Sequence, residues 1–523
     1  ELYTFDLLSM DYDYIIIGSG FGGSVSALRL SQKGYKVLVI EKGKWFQGKD
    51  FPKSNWNLRK WLWLPKFKFF GIMKMTYFKH VGILSGVGVG GGSLVYANTL
   101  PKPKGKFYTT GTWSELADWK EELTPHYDTA LKMLGAAKNP KLFDSDVAFQ
   151  KLAKEIGNKH FEPTDVAVFF GDPDKKYEDP YFEGKGPERV GCNFCGKCMT
   201  GCPNNSKNTL DKNYLHLAQQ LGCEIIAEHE VVDIVHNDAK GTYEVTFKKS
   251  TQYFSMKKKL TSKGIVLSGG VLGSVRLLMK LKKKSLPNLS NRLGEFVRTN
   301  NEALIFSVTQ NNETDYSKGV AIGSIIDVDE NSHLEPVRYG KGSGFWRVLM
   351  WPMVTEKNFF LRILKLISLP FTAPIAWFKT YTVRDFAQKS SILLFMQDLE
   401  STITFKKKWF RIGTKVTKGE NPSAFIPEAH DIARKHAKMT NAKTVVIASE
   451  TLSGIPSTAH ILGGCVMGDA KDTGVINKEN EVFGYPNMYV CDGSMISANP
   501  GVNPSLSITA ISELAMSKIP AKA

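Results

Sequence analysis

The chain has 523 residues, more than one ordinary domain holds, and with 42% hydrophobic and 23% charged residues it has the composition of a folded protein with a sizeable core. That balance excludes large-scale disorder. The formal net charge of +17 asks for an anionic partner, for which nucleic acid, an anionic membrane surface and an acidic cofactor qualify.

Residues Glu1 to Ser9 look unlike the rest and are read as extraneous, with Met10 as a native start. No signal-peptide pattern precedes the first apolar run, which leads directly into a structured motif, so a cytoplasmic location, peripheral at a membrane, is expected. Tyr14-Ile15-Ile16-Ile17 reads as a buried strand, followed by the glycine turn Gly18-Ser19-Gly20-Phe21-Gly22-Gly23, a helix that closes near Lys33-Gly34, and a second strand Lys36 to Ile40 ending in Glu41. This is the order of a Rossmann unit. Gly18 permits the tight turn, Gly20 lets the backbone approach a pyrophosphate, and Gly23 lets helix pack on strand. The helix N-terminus supplies NH groups to the phosphates, and Glu41 can accept from a ribose diol.

Trp56 to Phe70 interleaves aromatics with lysines, as do Phe345 to Trp351 and Phe359 to Ile367. These stretches predict lid segments (56–79 and 345–380) that lie at an anionic membrane surface; the alternative is ordinary core and lid packing. The apolar run after Lys365 is broken by Pro370 and Pro374 and is too short to span a bilayer. A second glycine cluster, Gly86-Val87-Gly88-Val89-Gly90-Gly91-Gly92-Ser93, fits backbone lying flat against a planar ligand and its phosphates, which favours FAD over NAD.

Cys192, Cys195, Cys198 and Cys202 have the spacing of bacterial ferredoxin ligands and could hold an iron–sulfur cluster or a zinc ion. Local disulfides or a loop without metal remain the alternatives. The scattered Cys223, Cys465 and Cys491 fit free thiols in a reducing compartment. The lysine runs Lys257–Lys259 and Lys282–Lys284 accompany no helix-turn-helix, zinc-finger or aromatic RNA-platform pattern, so no nucleic-acid partner is expected.

Near the end stand Ser457 to Gly468, containing His460-Ile461-Leu462-Gly463-Gly464, then Asp492-Gly493-Ser494 and Asn499 to Ser505, which opens a helix. Together with the two glycine clusters, these motifs resemble the glucose-methanol-choline (GMC) oxidoreductases, and within them the bacterial, non-covalent cholesterol oxidase branch. The likeness runs from Tyr14 to Met516 and is weakest over 106–190 and 302–450. It implies an α/β fold in which a Rossmann-like FAD-binding domain (10–55, 80–105, 190–300, 450–523) is interrupted by a substrate domain on an antiparallel sheet (106–189, 301–449). It further implies non-covalent FAD, His460 as the active-site histidine and Asn503 as its partner. Asp492 and Gly493 would contact the flavin's ribityl and pyrophosphate, Val231 its adenine, and Gly269, within Leu267 to Ser274, would lie beside it.

The chemistry agrees with these positions. Alcohol oxidation needs a hydroxyl proton removed as hydride leaves carbon, and histidine titrates near working pH. Asn503 can hold the substrate oxygen, and the helix opening at Pro504 would aim its positive end at the flavin. The expected function is oxidation of a lipophilic alcohol, a sterol 3-hydroxyl, with oxygen or another acceptor taking the electrons. A long-chain fatty alcohol is the alternative. A sugar or polyol dehydrogenase fits the apolar lid poorly, and a membrane-bound flavin electron carrier is the reading from another class. Members of the resembled branch use a glutamate to shift a double bond. Glu335, beside Pro336, is the candidate for it, read here as a solvated loop carboxylate.

Overall fold

The computed structural model describes residues 12–356, 358–399, 401–407, 412–418 and 423–523; Glu1 to Ser9 and Met10 lie outside them. Strand β1 (Tyr12–Ile17), helix α1 (Phe21–Gln32) and strand β2 (Val37–Ile40) follow the expected order. β1 is buried along its whole length, as a parallel strand covered on both faces must be, which is why its sequence is an unbroken apolar run. The sheet runs Glu224–Ile226, β2, β1, Lys258–Leu267, Thr242–Lys249, His229–Asn237, and Met488–Val490 pairs parallel with the end of Lys258–Leu267. Its first part is parallel, and His229 to Leu267 adds an antiparallel meander.

A second, wholly antiparallel sheet takes the order Met350–Pro352, Ala442–Ile447, Ala303–Thr309, Ser390–Gln397, Ser332–Val337, Ser324–Asp327, His160–Pro163. One large cavity of about 730 Å³ lies between this sheet and the glycine-rich turns. Helices α2 (Phe359–Thr372) and α3 (Pro374–Thr382) meet at a 94° bend on the outside of the second sheet's layer, where Trp377 packs with Trp346 and Phe306 in one apolar cluster. Among the described residues no single helix is long and apolar enough to cross a membrane. Helix Trp119–Met133, placed by sequence with the substrate domain, packs instead on Ser505–Lys518 in the nucleotide core, where the Tyr127 and Ser507 hydroxyls meet at 2.9 Å.

One buried ion pair ties the antiparallel sheet to its covering helix. Arg338 and Asp146 are both fully enclosed and meet through two hydrogen bonds of 2.7 and 2.9 Å, while Asp146 also accepts from Ser324 Oγ and Phe143 N. Removing one partner strands a charge in a dry site. Asp146→Ala is expected to cost about 3–5 kcal/mol, measured by denaturant unfolding, whereas truncation of the exposed Lys138–Glu162 pair should cost less than about 1 kcal/mol.

Candidate active site

The cavity begins at the N-terminus of α1. Gly20 is its N-cap, no side chain caps it and no acid sits in its first turn, so its NH groups and positive end face the cavity unopposed. The glycines of this turn divide by what surrounds them. A Cβ on Gly18, whose φ is +100°, would stand 2.3 Å from Ser268 O, and one on Gly22 would stand 1.8 Å from Cys491 O. A Cβ on Gly20 meets nothing nearer than 3.9 Å and would enter the cavity. The second cluster closes over this turn, since a Cβ on Gly91 would lie 2.7 Å from Gly20 Cα.

Glu41 is held in place from both sides. Its Oε2 accepts from Ser19 N and Oγ (3.1 and 2.8 Å) and its Oε1 from Gly43 N at 2.8 Å, with the carboxylate on the cavity wall. Phe21, Gly86, Gly92, Val231 and Gly269 line the cavity as expected. So do Asp492, Gly493, Asn503 and Pro504. Asp492 accepts from Ser274 Oγ and from Ser494 N at 2.8 Å, and burial nevertheless holds its carboxyl above the usual range. Three of the named positions stand off the cavity wall. Ser93 is enclosed behind it, donating to Gly90 O at 2.7 Å and accepting from Leu210 N at 3.1 Å; Gly90, at φ +99°, makes that turn; and Gly23 packs closely, with Gly18 O 2.1 Å from where its Cβ would be, in keeping with the expected helix-on-strand packing.

Sequence reasoning missed the cations of the nucleotide end. Lys42, Lys74 and Arg276 all line the cavity, and burial together with the charges of Lys42 and Arg276 pushes Lys74 down to about 7. The carboxylates of Glu41 and Glu230 act on this cluster in the opposite sense.

At the other end stands His460. Its Nδ1 donates to Glu302 Oε1 at 2.9 Å, which leaves Nε2 for the cavity it lines. Glu302 is fixed in turn by the Thr458 hydroxyl and by Ala459 N at 3.2 Å. Burial alone would lower the pKa of His460, but the charge and hydrogen bond of Glu302, with the charge of Glu335, outweigh it and hold the ring above its ordinary value. Burial raises Glu302, and the imidazole beside it more than reverses this, so its carboxyl lies below the usual range. Glu302 had no signal in the sequence, being one residue at the start of a strand.

Glu335 is a correction. It is no solvated loop carboxylate but is fully buried within strand Ser332–Val337. With its amide turned as the network requires, Asn503 Nδ2 donates to Glu335 Oε1 at 2.8 Å. Asn503 lines the cavity, and Glu335 stands behind it. Beyond them the walls turn apolar, with Leu304, Phe306, Val337, Trp346, Ile392 and Leu394.

The cysteine loop is a second correction. Among the described residues no group of three or more His, Cys, Asp or Glu side chains is placed to hold a metal, so neither an iron–sulfur cluster nor zinc is supported. All four thiols are free and surround a space of about 10 Å³, no larger than one water, into which the buried Lys207 also points. Lys207 donates to the carbonyls of Tyr96 and Cys198 at 2.9 and 2.8 Å. Burial raises the thiols of Cys192 and Cys198 and lifts Cys195 to about 11; only Cys202 falls, where Lys212 and backbone NH groups override its burial.

Models of the GMC oxidoreductase family match residues 187–289 and 394–512, and one of the NAD(P)-binding Rossmann-like domain matches 16–47. The cholesterol oxidase of Acinetobacter baumannii is 43% identical across 98% of this chain and 95% of its own length, and that of Mycobacterium tuberculosis H37Rv is 42% identical across 98% and 92%. The chain belongs to the GMC oxidoreductase family. Its fold is also that of the solved structure of pyridoxine 4-oxidase from Mesorbium loti, with a TM-score of 0.61 at 12% identity over 97% of this chain and 99% of that one. As a member of the family it is an FAD-dependent alcohol oxidoreductase. The residues present fit the cofactor: a bare helix end faces the cavity, Gly20 leaves the space a Cβ would fill, and Lys42, Lys74 and Arg276 line the same cavity near Glu41 and Glu230.

The two glycine environments separate fold from binding. Gly22→Ala should destabilise the protein by about 3 kcal/mol, because backbone must move to admit the methyl. Gly20→Ala should keep the unfolding temperature of flavin-free protein and lose retained flavin absorbance.

Proposed function

We propose that this GMC oxidoreductase oxidises the hydroxyl of a sterol-sized lipophilic alcohol to the ketone. What carries the reading is the juxtaposition in one cavity of apolar walls and the nitrogen of His460 opposite its Glu302-bound Nδ1. The relatives at 42–43% identity, both cholesterol oxidases, support the substrate class.

Bound FAD supplies the acceptor for the hydride, and oxygen is the proposed final acceptor. The protein's own residues manage the proton. With Nδ1 donating to Glu302, Nε2 is the basic nitrogen and takes the hydroxyl proton. The Glu302 carboxylate then stabilises the imidazolium that results, and it fixes the ring's tautomer and orientation. Glu302 is thus a positioning residue. Asn503 presents its amide at the cavity wall, where it orients the substrate oxygen when it turns from Glu335. The buried carboxylate of Glu335 is the group for a double-bond shift in the ketone product, and it reaches the cavity only past Asn503.

The sign of the pH dependence follows. A base must be neutral to act, and Glu302 holds His460 above its ordinary value, so activity should rise with pH along a limb displaced to the alkaline side of an ordinary histidine. Glu302→Gln removes the charge and should move that limb to lower pH while reducing the plateau in kcat. A limb that stays in place would show that Glu302 does not act through His460. His460→Ala should lower kcat by about 10²–10⁴-fold with flavin content unchanged.

Cholesterol and dodecanol, assayed side by side for ketone or aldehyde and for peroxide, test the substrate class. Turnover of the sterol is expected. Turnover of dodecanol alone would replace this reading with that of a long-chain alcohol oxidase.

A further inference from the structure

Helices α2 and α3 are amphipathic the wrong way round for a soluble protein. On α2 the inward positions carry Arg362, bonded to the carbonyl of Glu356 at 2.9 Å, and Leu366, whereas Phe360, Leu364, Ile367 and Phe371 form the outward stripe. Phe360 is 76% exposed and Phe371 81%; on α3, Ile375 is 70% and Phe378 69% exposed. A contiguous apolar patch of this kind on a folded chain marks an interaction surface.

Its charges are mostly positive. No acid occurs between Glu356 and Asp385; Lys379 and Arg384 stand exposed around the apolar stripe, as does Lys365, whose ammonium lies 3.8 Å from Glu356 at the edge. The 14 residues of α2 span about 21 Å, short of the roughly 30 Å of a bilayer's hydrocarbon core. The 94° bend to α3 turns the chain back. We propose that α2 and α3 lie in the interface of a lipid leaflet carrying anionic headgroups, with the phenylalanines in the acyl boundary and the lysines at the headgroups. A second copy of the chain is a poorer occupant, since pairing the two stripes would oppose cation to cation.

The position adds a purpose that rests on the proposed function. Trp377 of α3 packs in the same cluster as Trp346 and Phe306, both of which line the cavity. Trp56, 50% exposed, is in edge contact with Phe345 of the same cluster. The surface would thus bring an alcohol dissolved in the leaflet next to the wall of the apolar cavity. Not every segment of the expected lid takes part: Trp61, Trp63 and Trp346 are core residues.

Flavin-loaded protein and its Phe360→Ser/Phe371→Ser/Phe378→Ser variant, sedimented with phosphatidylcholine–phosphatidylserine vesicles free of sterol and other alcohols, test the surface. The wild type should bind at low salt and the variant at least tenfold more weakly, with equal unfolding temperatures and equal turnover of detergent-dispersed cholesterol. Lys365→Glu/Lys379→Glu should weaken binding to these vesicles and not to neutral ones. Wild type that stays in the supernatant, equal binding by the triple variant, or a triple variant that changes only the oligomeric state would each overturn the proposal. Vesicle binding by a protein that leaves cholesterol untouched would sustain it and remove the proposed substrate instead.

Discussion

The structure depends on a close approach of backbones at the first turn of α1. The space where Gly18, Gly22 and Gly23 lack a Cβ is taken by the carbonyls of Ser268, Cys491 and Gly18 itself. These contacts bring together chain segments hundreds of residues apart. Because Cys491 is pressed against α1, Asp492 and Gly493 enter the cavity beside Gly20. The following segment then delivers Asn503 and Pro504 to the same space. A nucleotide turn and a catalytic wall are thus one construction, and a methyl group at position 22 would disturb both.

What the sequence made legible is what this construction encodes locally. The glycine turn and Glu41 stand close together in the chain, so spacing alone suggests them, whereas the Asp492-Gly493 pair comes from the family resemblance. His460 was legible by its motif, but the reason it can act was not. Glu302 comes from strand Ala303–Thr309's leading edge, and only the pairing of distant strands brings it to Nδ1. Glu335 misled for a related reason. Its strand reads Ser332-His333-Leu334-Glu335-Pro336, polar enough for a loop, yet all of it is buried because both faces of the sheet are covered. Ser93 and the cysteine loop show the converse failure. There the local pattern was real, but the Ser93 hydroxyl is taken up by neighbouring backbone and the four thiols surround a space no larger than one water.

The cavity is ordered electrically from end to end. One end offers a helix N-terminus, with Lys42, Lys74 and Arg276 on the same cavity's wall. The other places two buried carboxylates near His460, Glu302 bonded to it and Glu335 also 3.6 Å from His333. Burying carboxylates is expensive unless donors meet them. Thr458, Ala459 and His460 meet Glu302, and Asn503 meets Glu335. A third acid, Glu450, receives the backbone NH of Ser457 at 3.3 Å and its side chain, and burial still pushes it up to about 8. The charges that act on the histidine are those of Glu302 and Glu335.

The same accounting explains why the outer surface looks as it does. Inside, Glu302 and Glu335 are met by donors, and the walls beyond the histidine are aliphatic and aromatic, so that end of the cavity favours apolar matter. A molecule that enters must already have left water, or must lose its water on the way. Exposed phenylalanines on α2 and α3 would be a liability for a protein fed from solution, because they raise the cost of the folded surface and invite aggregation. Beside a cavity with this lining they become consistent with it: both select for apolar matter, and the lysines among them fix which surface of that matter is approached.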